Sequence, residues 1–292
     1  MKNRYESRPG QSWRNLVPAD FPSNDRTIAS QPTLEELPPP PARGNFQEVQ
    51  AQLLASYHGV AEHYRASDEI HVTGDYHQRL RRVLIELSTA FARPISVLDA
   101  GCGTGRYFHC IRNATRLVGL DLSAEMLQQA QNPVKAEEVT AKRVDLVCGS
   151  IYEIAFPPGS FDLIYSLGMF GNGCTLTLDM LDRFYDWLGP DGMLFFDLFD
   201  RSKLPRSYRF KQQVRRWLLP LAETWRQRIH RKAGVPLFSL TAEELEEMLA
   251  KSKFPHRLVI SRECRTPMGH GAKLECVVHK HPKAQFTFPS ER

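Results

Sequence analysis

The sequence predicts an α/β fold with a doubly wound, mostly parallel sheet of seven strands, N-terminal helices and a helical insertion. Two observations predict this fold. From about residue 93 onwards, short apolar runs alternate with helical segments, which is typical of parallel sheets built from βαβ units. The last two apolar runs have no helix between them, and consecutive strands joined in this way pair antiparallel. The sheet should therefore end in a C-terminal antiparallel pair.

Helices should precede the sheet. Apolar residues recur at spacings of three and four over Phe46–Tyr64 and over Tyr76–Phe91, so that each segment has one apolar face. Residues 1–44 are rich in proline and lack this pattern, which predicts a disordered or loosely attached tail. The main domain should then span residues 45–292.

Seven apolar runs are the predicted strands, five in the parallel part and two in the antiparallel pair. They are Ile95–Asp99, Arg116–Leu120, Val144–Cys148, Phe161–Ser166, Gly192–Leu198, Arg257–Ser261 and Leu274–His279. Helices should run from the glycine-rich turn after residue 99 to about Asn113, from Ser123 to about Gln131, and over about Leu178–Leu188. A last helix should begin at Thr241, which forms a capping box with Glu244.

The composition is that of a soluble globular protein, with 42% hydrophobic and 24% charged residues and a formal charge of +5. No run of about 18 apolar residues exists, so no membrane span is expected. The polar segment Met1–Gly10 lacks the apolar core of a secretory signal. None of the six cysteines forms a C-x-x-C pair. This favours free thiols in a reducing cytoplasm, and no metal site is predicted.

The glycine-rich turn Asp99–Gly105 is the first candidate site. Glycines permit positive φ and let a ligand approach the backbone closely, and unpaired N–H groups at a helix start attract negative groups. The dinucleotide fingerprint is G-x-G-x-x-G, but here Gly101, Gly103 and Gly105 give G-x-G-x-G, and Arg106 takes the place of the third glycine. The spacing therefore disfavours a nicotinamide dinucleotide.

Two carboxylates narrow the ligand further. Asp99 lies at the end of the first strand, where it would repel a pyrophosphate but attract the ammonium group of an amino acid. Asp121 ends the second strand, where an acid accepts hydrogen bonds from ribose hydroxyls. S-adenosylmethionine offers that ammonium group, a ribose, a carboxylate for the turn and no phosphate. It is the predicted cofactor.

Four segments carry a resemblance to a known family. Val97–Arg106 resembles the first signature motif of the class I S-adenosylmethionine-dependent methyltransferases, and Val118–Leu127 resembles their second. Phe161–Ser166 is similar to the fourth-strand motif, and Leu188–Leu194 to the turn into the fifth strand. The resemblance covers about residues 93–200. It implies a Rossmann-like methyltransferase whose cofactor is held by Asp99, Gly101, Gly103, Gly105, Asp121, Leu122 and Ser166.

Two more segments resemble the family less completely. Tyr57–Tyr64 is similar to the stretch that covers the cofactor in many small-molecule members, with His58 in place of the usual Asp. This implies that Tyr64 contacts the cofactor, although packing alone is an equally good interpretation of both tyrosines. After the third strand, the Asp that often contacts the adenine is absent. The resemblance implies that Ser150 bonds the adenine amino group there and that Ile151 packs on the ring.

The methyl acceptor is less readable. In-line displacement from a sulfonium needs positioning and exclusion of water, and a general base only if the acceptor is protonated. No catalytic residue is therefore predicted. The acceptor pocket should open beyond the strand ends. His109 is expected to be only a helix residue behind the glycine turn. Candidate acceptor contacts there are Tyr165, Met169, Phe170, Asn172, Asp197 and Asp200.

The segment Arg201–Lys232 holds eleven Lys or Arg residues and a single acid, Glu223. It lies in the helical insertion predicted at about 201–240. Three interpretations stay open: a solvated helical lid, a lid that recognises an anionic small molecule or lipid headgroup, and a nucleic-acid surface. No companion RNA-binding motif supports the third, so nucleic acid is not favoured.

Together these features predict a methyltransferase that acts on a small-molecule acceptor, which is anionic if the basic segment recognises it. An RNA or protein methyltransferase that uses the basic insertion is one alternative. The others are a nicotinamide-dependent Rossmann oxidoreductase and a cofactor-binding protein without catalytic activity. The glycine spacing and the C-terminal antiparallel pair both disfavour the oxidoreductase.

Overall fold

The computed structural model describes residues 46–171, 174–204, 238–266 and 269–281. The predicted tail over residues 1–44 lies outside the described residues, and so do Asn172 and residues 205–237 of the basic insertion. No helix in the described part of the chain is both long enough and apolar enough to cross a membrane.

The strands form one mixed sheet. In chain order they are β1 Ile95–Ala100, β2 Ala114–Asp121, β3 Arg143–Cys148, β4 Phe161–Ser166, β5 Leu188–Asp200, β6 Ser239–Leu240, β7 His256–Thr266 and β8 Gly269–His279. Their spatial order is β3-β2-β1-β4-β5-β8-β7, and the short β6 pairs with β5. The five strands from β3 to β5 are parallel, while β8 lies antiparallel between β5 and β7. This confirms the predicted fold class.

The helices are α1 Phe46–Tyr57, α2 Ala61–His71, α3 Asp75–Thr89, α4 Ala124–Ala130, α5 Leu178–Trp187 and α6 Ala242–Ala250. Two of them begin with the predicted caps. The Ser123 hydroxyl accepts from the Met126 amide at the start of α4, and Thr241 and Glu244 complete a capping box at α6. The single helix predicted over Phe46–Tyr64 is wrong. The chain turns at Gly59, whose φ of +71° is left-handed, and α2 starts two residues later.

The helix predicted after the glycine turn is also wrong. Residues 101–107 form turns, and only a 3-10 helix over Phe108–Cys110 follows before β2. The three glycines of the turn all have positive φ, which no α-helix contains. The residues after them are mostly aromatic, β-branched or otherwise weak helix formers, and Asn113 itself has a φ of +58°. The turn is therefore shaped by its own contacts and not by a following helix.

Both faces of the central strands are buried. Leu98 and Ile164, on β1 and β4, are fully buried, as are Val97 and Leu163 on the same two strands. Parallel strands covered by helices on both faces read as continuous apolar runs, which is why these runs could be recognised in the sequence. Because the carboxyl ends of parallel strands meet at one edge of the sheet, the residues after β1, β2, β3 and β4 are brought together.

Candidate functional site

The glycine turn leaves β1 with three left-handed residues, and each glycine has a different surrounding. A Cβ atom on Gly101 would lie 2.8 Å from the Met169 side chain, and one on Gly105 would lie 2.8 Å from the Phe108 ring. A Cβ atom on Gly103 would meet no atom within 4 Å. Gly101 and Gly105 are thus required for packing, whereas Gly103 faces open space that a ligand can fill.

The amides of the turn are hydrogen-bonded within the protein. The N–H groups of Gly101 and Cys102 both donate to the Leu120 carbonyl, at 2.8 and 2.9 Å, and that of Gly105 donates to the Cys102 carbonyl at 2.9 Å. The Gly103 N–H donates to Asp121 Oδ2 at 2.8 Å. The expectation of unpaired helix-start N–H groups is therefore wrong at these four positions. The physical reason is that no α-helix starts here: β2 supplies the acceptors of three of these amides through Leu120 and Asp121, and the Cys102 carbonyl of the turn itself accepts from the fourth.

Asp121 connects the turn to the next helix. Besides holding Gly103, it accepts a 2.9 Å hydrogen bond from the Ser123 N–H through Oδ1. Burial raises the pKa of Asp121, and hydrogen bonds from the amides of Ser123, Gly103 and Leu122 counteract part of that rise. Each oxygen of a carboxylate has two lone pairs, so both can still accept from a ligand hydroxyl. The position is that predicted for a ribose contact.

Asp99, the acid at the start of the turn, is deeply buried, with 1% of its surface exposed. Its Oδ2 atom has no hydrogen-bond partner among the described residues. Burial raises its pKa well above the usual range, and the nearby Tyr165 hydroxyl lowers it in part. Tyr165 is the register partner of Asp99 on β4. An ammonium group of a bound amino acid would supply the cation that this carboxyl lacks.

A second buried acid, which the sequence did not reveal, joins α2 to the turn. Asp68 is completely buried, accepts from the Thr104 hydroxyl, and lies 2.5 Å from Arg106 Nε. Arg106 thus has a structural role at the position where a dinucleotide site would have its third glycine. An acid within an amphipathic helix and a long cation after a glycine turn were the two signals available in the sequence.

The helices α1 and α2 lie next to the turn and α4. Both oxygens of Glu125 accept from the linker between the two helices, from His58 Nδ1 at 2.8 Å and from the Gly59 N–H at 2.9 Å. Tyr57 and Tyr64 pack edge to face with ring centroids 5.9 Å apart. Burial raises the pKa of Tyr57 to about 12, and the charges of Tyr64 and Asp121 add to the rise.

Of the two tyrosines, Tyr57 is therefore the one whose pKa is raised by the charge of Asp121. It was not among the predicted cofactor contacts. Tyr64 is 42% exposed, and its contact with a cofactor stays a prediction.

Ser150 and Ile151 follow β3, at the strand end next to Asp121. Both are buried, and Gln50 on α1 donates a 2.5 Å hydrogen bond to the Ser150 hydroxyl. The Leu122 carbonyl accepts from the Cys148 thiol across the same pair of strand ends, at 3.6 Å. The residues predicted to surround the adenine therefore lie together. Gln50, far away in sequence, joins them.

Ser166 has its hydroxyl directed elsewhere. The side chain is completely buried at the end of β4, and its Oγ donates to the Ala100 carbonyl at 2.9 Å. This hydrogen bond fixes β4 against β1 immediately before the glycine turn. A role of Ser166 in cofactor binding stays a prediction. Its observed hydrogen bond to Ala100 stabilises the backbone before the glycine turn.

The two acids suggested as acceptor contacts are engaged in the protein. Asp197 accepts from the Gly168 N–H at 2.6 Å, the Tyr76 hydroxyl at 2.7 Å and Lys273 Nζ at 2.6 Å. Asp200 accepts from the backbone and hydroxyl of Ser202, and from Ser261 Oγ at 2.5 Å. Asp197 thus positions the loop after β4, which carries Met169 against Gly101. Tyr76 and Lys273 were not predicted from the sequence.

Comparison with known proteins gives a consistent result. Residues 97–192 match a family model described as "Methyltransferase domain". The chain is 30% identical over 161 residues to a malonyl-[acyl-carrier protein] O-methyltransferase of Enterobacter lignolyticus, an alignment that covers 54% of this chain and 57% of that protein. It is 33% identical over 101 residues to a probable chloroplastic tocopherol O-methyltransferase of Oryza sativa, covering 31% and 28%. The chain thus spans little more than half the length of the first relative.

A solved structure shares the fold. The 1,6-didemethyltoxoflavin-N1-methyltransferase of Burkholderia thailandensis superposes with a TM-score of 0.50 at 19% identity, over 82% of this chain and 91% of that one. The match of the central segment to the methyltransferase domain model leaves the nicotinamide-dependent alternative without support. Residues 97–192, which include the glycine turn and the two acids at adjacent strand ends, are therefore similar to a methyltransferase domain, and the sheet that contains them ends in an antiparallel pair.

Proposed function

We propose that this chain binds S-adenosylmethionine at the glycine turn and transfers its methyl group to a small-molecule acceptor. The observation that carries the proposal is the buried Asp99 carboxyl, whose Oδ2 has no hydrogen-bond partner among the described residues. Asp99 begins the turn in which Gly103 borders open space. A buried carboxylate without a partner is costly, and an ammonium group is the kind of ligand that removes this cost.

The other residues of the site fit the remaining parts of the cofactor. Asp121 would accept from the ribose hydroxyls while it keeps the turn in place through Gly103 and Ser123. Ser150 and Ile151 would contact the adenine, and Leu122 would contribute the adjoining wall. The helix pair α1–α2 carries Tyr57 and Tyr64 next to this site, where the two rings would exclude water from it.

The chemistry asks little of individual side chains. The cofactor supplies a methyl group on a positively charged sulfur, so that a nucleophile held in line can displace the neutral thioether. The protein has to position the acceptor and keep water away. Both named relatives are O-methyltransferases, which supports an oxygen atom as the acceptor. Because Asp197 and Asp200 are engaged, we expect neither to act as a general base.

An anionic acceptor recognised by the basic insertion is the finer form of this proposal. The support is the charge of the segment Arg201–Lys232, most of which lies outside the described residues. Charge reversal at Arg215 and Arg216 should reduce turnover of the acceptor and leave affinity for S-adenosylmethionine nearly unchanged. Equal losses in both measurements would remove the idea that this segment recognises the acceptor.

Isothermal titration tests the cofactor assignment. We expect S-adenosylmethionine and S-adenosylhomocysteine to bind and NAD to give no heat. Asp99→Asn and Asp121→Ala should each lower the affinity for S-adenosylmethionine by more than about threefold, which is the smallest effect expected from the loss of a charge-assisted contact. Binding of NAD alone would overturn the proposal. Formation of S-adenosylhomocysteine with a panel of hydroxyl and carboxyl acceptors then separates an enzyme from a protein that only binds the cofactor.

A further inference from the structure

Three buried side chains with metal-binding atoms converge behind the glycine turn. His77 belongs to α3, while His109 and Cys110 belong to the 3-10 helix. All three are buried, His77 at 3% exposure and the other two at zero. The Cys110 Sγ atom lies 3.5 Å from His109 Nε2 and 4.0 Å from His77 Nε2. One ligand atom from each residue lies within 4.8 Å of the other two.

Hydrogen bonding within the cluster leaves polar atoms unsatisfied. The Cys110 thiol can donate to one imidazole and accept from the N–H of the other, but sulfur is weak in both roles and the contacts are 3.5 and 4.0 Å long. The Nδ1 atoms of His77 and His109 also have no hydrogen-bond partner among the described residues. Ring packing explains part of the arrangement, since His77 stacks on Tyr107 at 5.0 Å and on His109 at 5.4 Å. Packing alone does not require that three polar atoms face one another.

We propose that His77, His109 and Cys110 bind one thiophilic transition-metal ion, Cu⁺ or Zn²⁺. Such ions take thiolate sulfur at about 2.3 Å and imidazole nitrogen at about 2.0–2.1 Å. Two ligands at those lengths, at trigonal or tetrahedral angles, hold sulfur and nitrogen about 3.6–3.8 Å apart. The two sulfur–nitrogen distances in the structure lie on either side of this value. The thiol proton leaves to solvent on binding, because the thiolate is the ligand.

Charge and donor set favour Cu⁺ over Zn²⁺. Around the cluster, the charged side chains that act on it are the cations Arg81, Arg106, Arg112 and Lys135 and the acids Asp99 and Glu138. The excess of cations disfavours a further positive charge. A thiolate with Cu⁺ and two neutral imidazoles is uncharged, whereas Zn²⁺ leaves one net positive charge. Two His and one Cys are also the donors of trigonal copper sites.

The ion would have a structural role. It would join α3 to the 3-10 helix, the segment where the expected α-helix does not form. Phe108, in the same short helix, packs against Gly105 of the turn. No metal was predicted because the cysteines form no C-x-x-C pair, and His77 stands more than thirty residues before the other two ligands. The fold brings them together.

Metal analysis of the full-length protein without an affinity tag tests the site. Anaerobic titrations use Cu⁺ added as its acetonitrile complex and, separately, zinc chloride, both in the absence of S-adenosylmethionine. Cys110→Ser and His77→Gln remove one ligand each. Cys276→Ser removes an equally buried thiol on β8 and is the matched control. Circular dichroism identifies variants that fail to fold, and two independent ligand variants keep the comparison possible.

We expect one ion per chain in the wild type and in Cys276→Ser, with a rise in melting temperature on loading. Cys110→Ser and His77→Gln should lose the ion and this rise. Stoichiometric Zn²⁺ uptake with the same dependence on the ligands supports the site and assigns zinc to it. No uptake of either metal, or equal uptake by Cys110→Ser, overturns the proposal. Because these titrations contain no S-adenosylmethionine, neither result tests the proposed methyl transfer, and the two proposals can fail independently.

Discussion

Asp68 on α2 and Arg106 after the third glycine form a buried ion pair, with Arg106 Nε 2.5 Å from Asp68 Oδ1. Asp68 is completely buried and also accepts from Thr104 inside the turn. The pair therefore attaches the N-terminal helices to the backbone of the candidate cofactor site. It also explains why the third glycine of a dinucleotide site is replaced here, since only a long cation reaches Asp68 from that position.

Removing the acid of this pair should destabilise the protein strongly. Asp68→Ala leaves the partly buried Arg106 without a counter-charge and Thr104 without an acceptor, a loss of about 3–5 kcal/mol. Urea unfolding followed by circular dichroism measures it. The neighbouring Glu69→Ala is the control, because Glu69 is 61% exposed and pairs with Arg65 on the helix surface. A surface pair contributes under about 1 kcal/mol. Equal losses in the two variants would contradict the structural role of Asp68.

Asp99→Asn should increase the stability of the cofactor-free protein and weaken cofactor binding. Burial raises the pKa of Asp99 in the folded state above its ordinary value of 3.8. The folded protein therefore holds this proton to higher pH than the unfolded chain, and stability falls as pH rises from about 4 through the raised pKa. Asn does not titrate, so the variant gains stability relative to wild type over that range. Affinity for S-adenosylmethionine should fall about tenfold.

Asp145→Asn should change the stability in the opposite direction to Asp99→Asn, because the pKa of Asp145 is lowered in the folded protein. Burial raises the pKa of Asp145, but hydrogen bonds from Arg143 and Arg116 outweigh it and the net shift is downward. Its carboxylate stabilises the fold at pH values above the ordinary carboxyl pKa, and this contribution is lost as pH falls through the lowered pKa. The variant should lose stability at neutral pH and keep its cofactor affinity. Melting curves from pH 4 to 8 that move in the same direction for both variants would refute the assignment.

Local patterns explain which elements could be predicted. β4 begins and ends at the predicted residues, because Phe161–Ser166 is a mostly apolar run, and the Ser123 and Thr241 caps are short-range signals. The 3-10 helix over Phe108–Cys110 could not be predicted. The segment after the turn is long enough for an α-helix, but its conformation is fixed by contacts with α3 and with the turn.

The candidate site divides in the same way. Asp99 and Asp121 could be placed at one edge because parallel strands end together. Asp68, Gln50 and Tyr57 could not, since helix orientation relative to the sheet decides which of their side chains reach the turn. A sequence gives the face of an amphipathic helix, and it does not give the residue that this face meets.

Gly103→Ala should abolish cofactor binding while the fold is kept. The residue has a φ of +54°, so alanine costs about 1–2 kcal/mol of backbone strain, and its Cβ would enter space that the ligand needs. Gly159→Ala is the matched control. Gly159 has a φ of +71° and room for a Cβ atom, but it precedes β4 at the opposite edge of the sheet. Similar losses of melting temperature are expected, with S-adenosylmethionine affinity lost only in Gly103→Ala. Normal affinity in that variant would remove the turn from the site.

Ser150→Ala tests adenine recognition through a change of ligand. Ser150 Oγ already accepts from Gln50 Nε2 at 2.5 Å and from the Tyr152 N–H at 3.2 Å, so its hydroxyl is left to donate to a ring nitrogen of adenine. If it donates to N1, wild-type protein should prefer S-adenosylhomocysteine to S-inosylhomocysteine, in which N1 carries a proton. One neutral hydrogen bond corresponds to about 1 kcal/mol, or about fivefold in affinity. Ser150→Ala should lower affinity for the adenosyl compound by that factor and bring the two ligands close to equal. Unchanged discrimination would place adenine recognition on other residues. Gln50→Leu should give an intermediate preference, because it leaves the hydroxyl in place and frees its rotation.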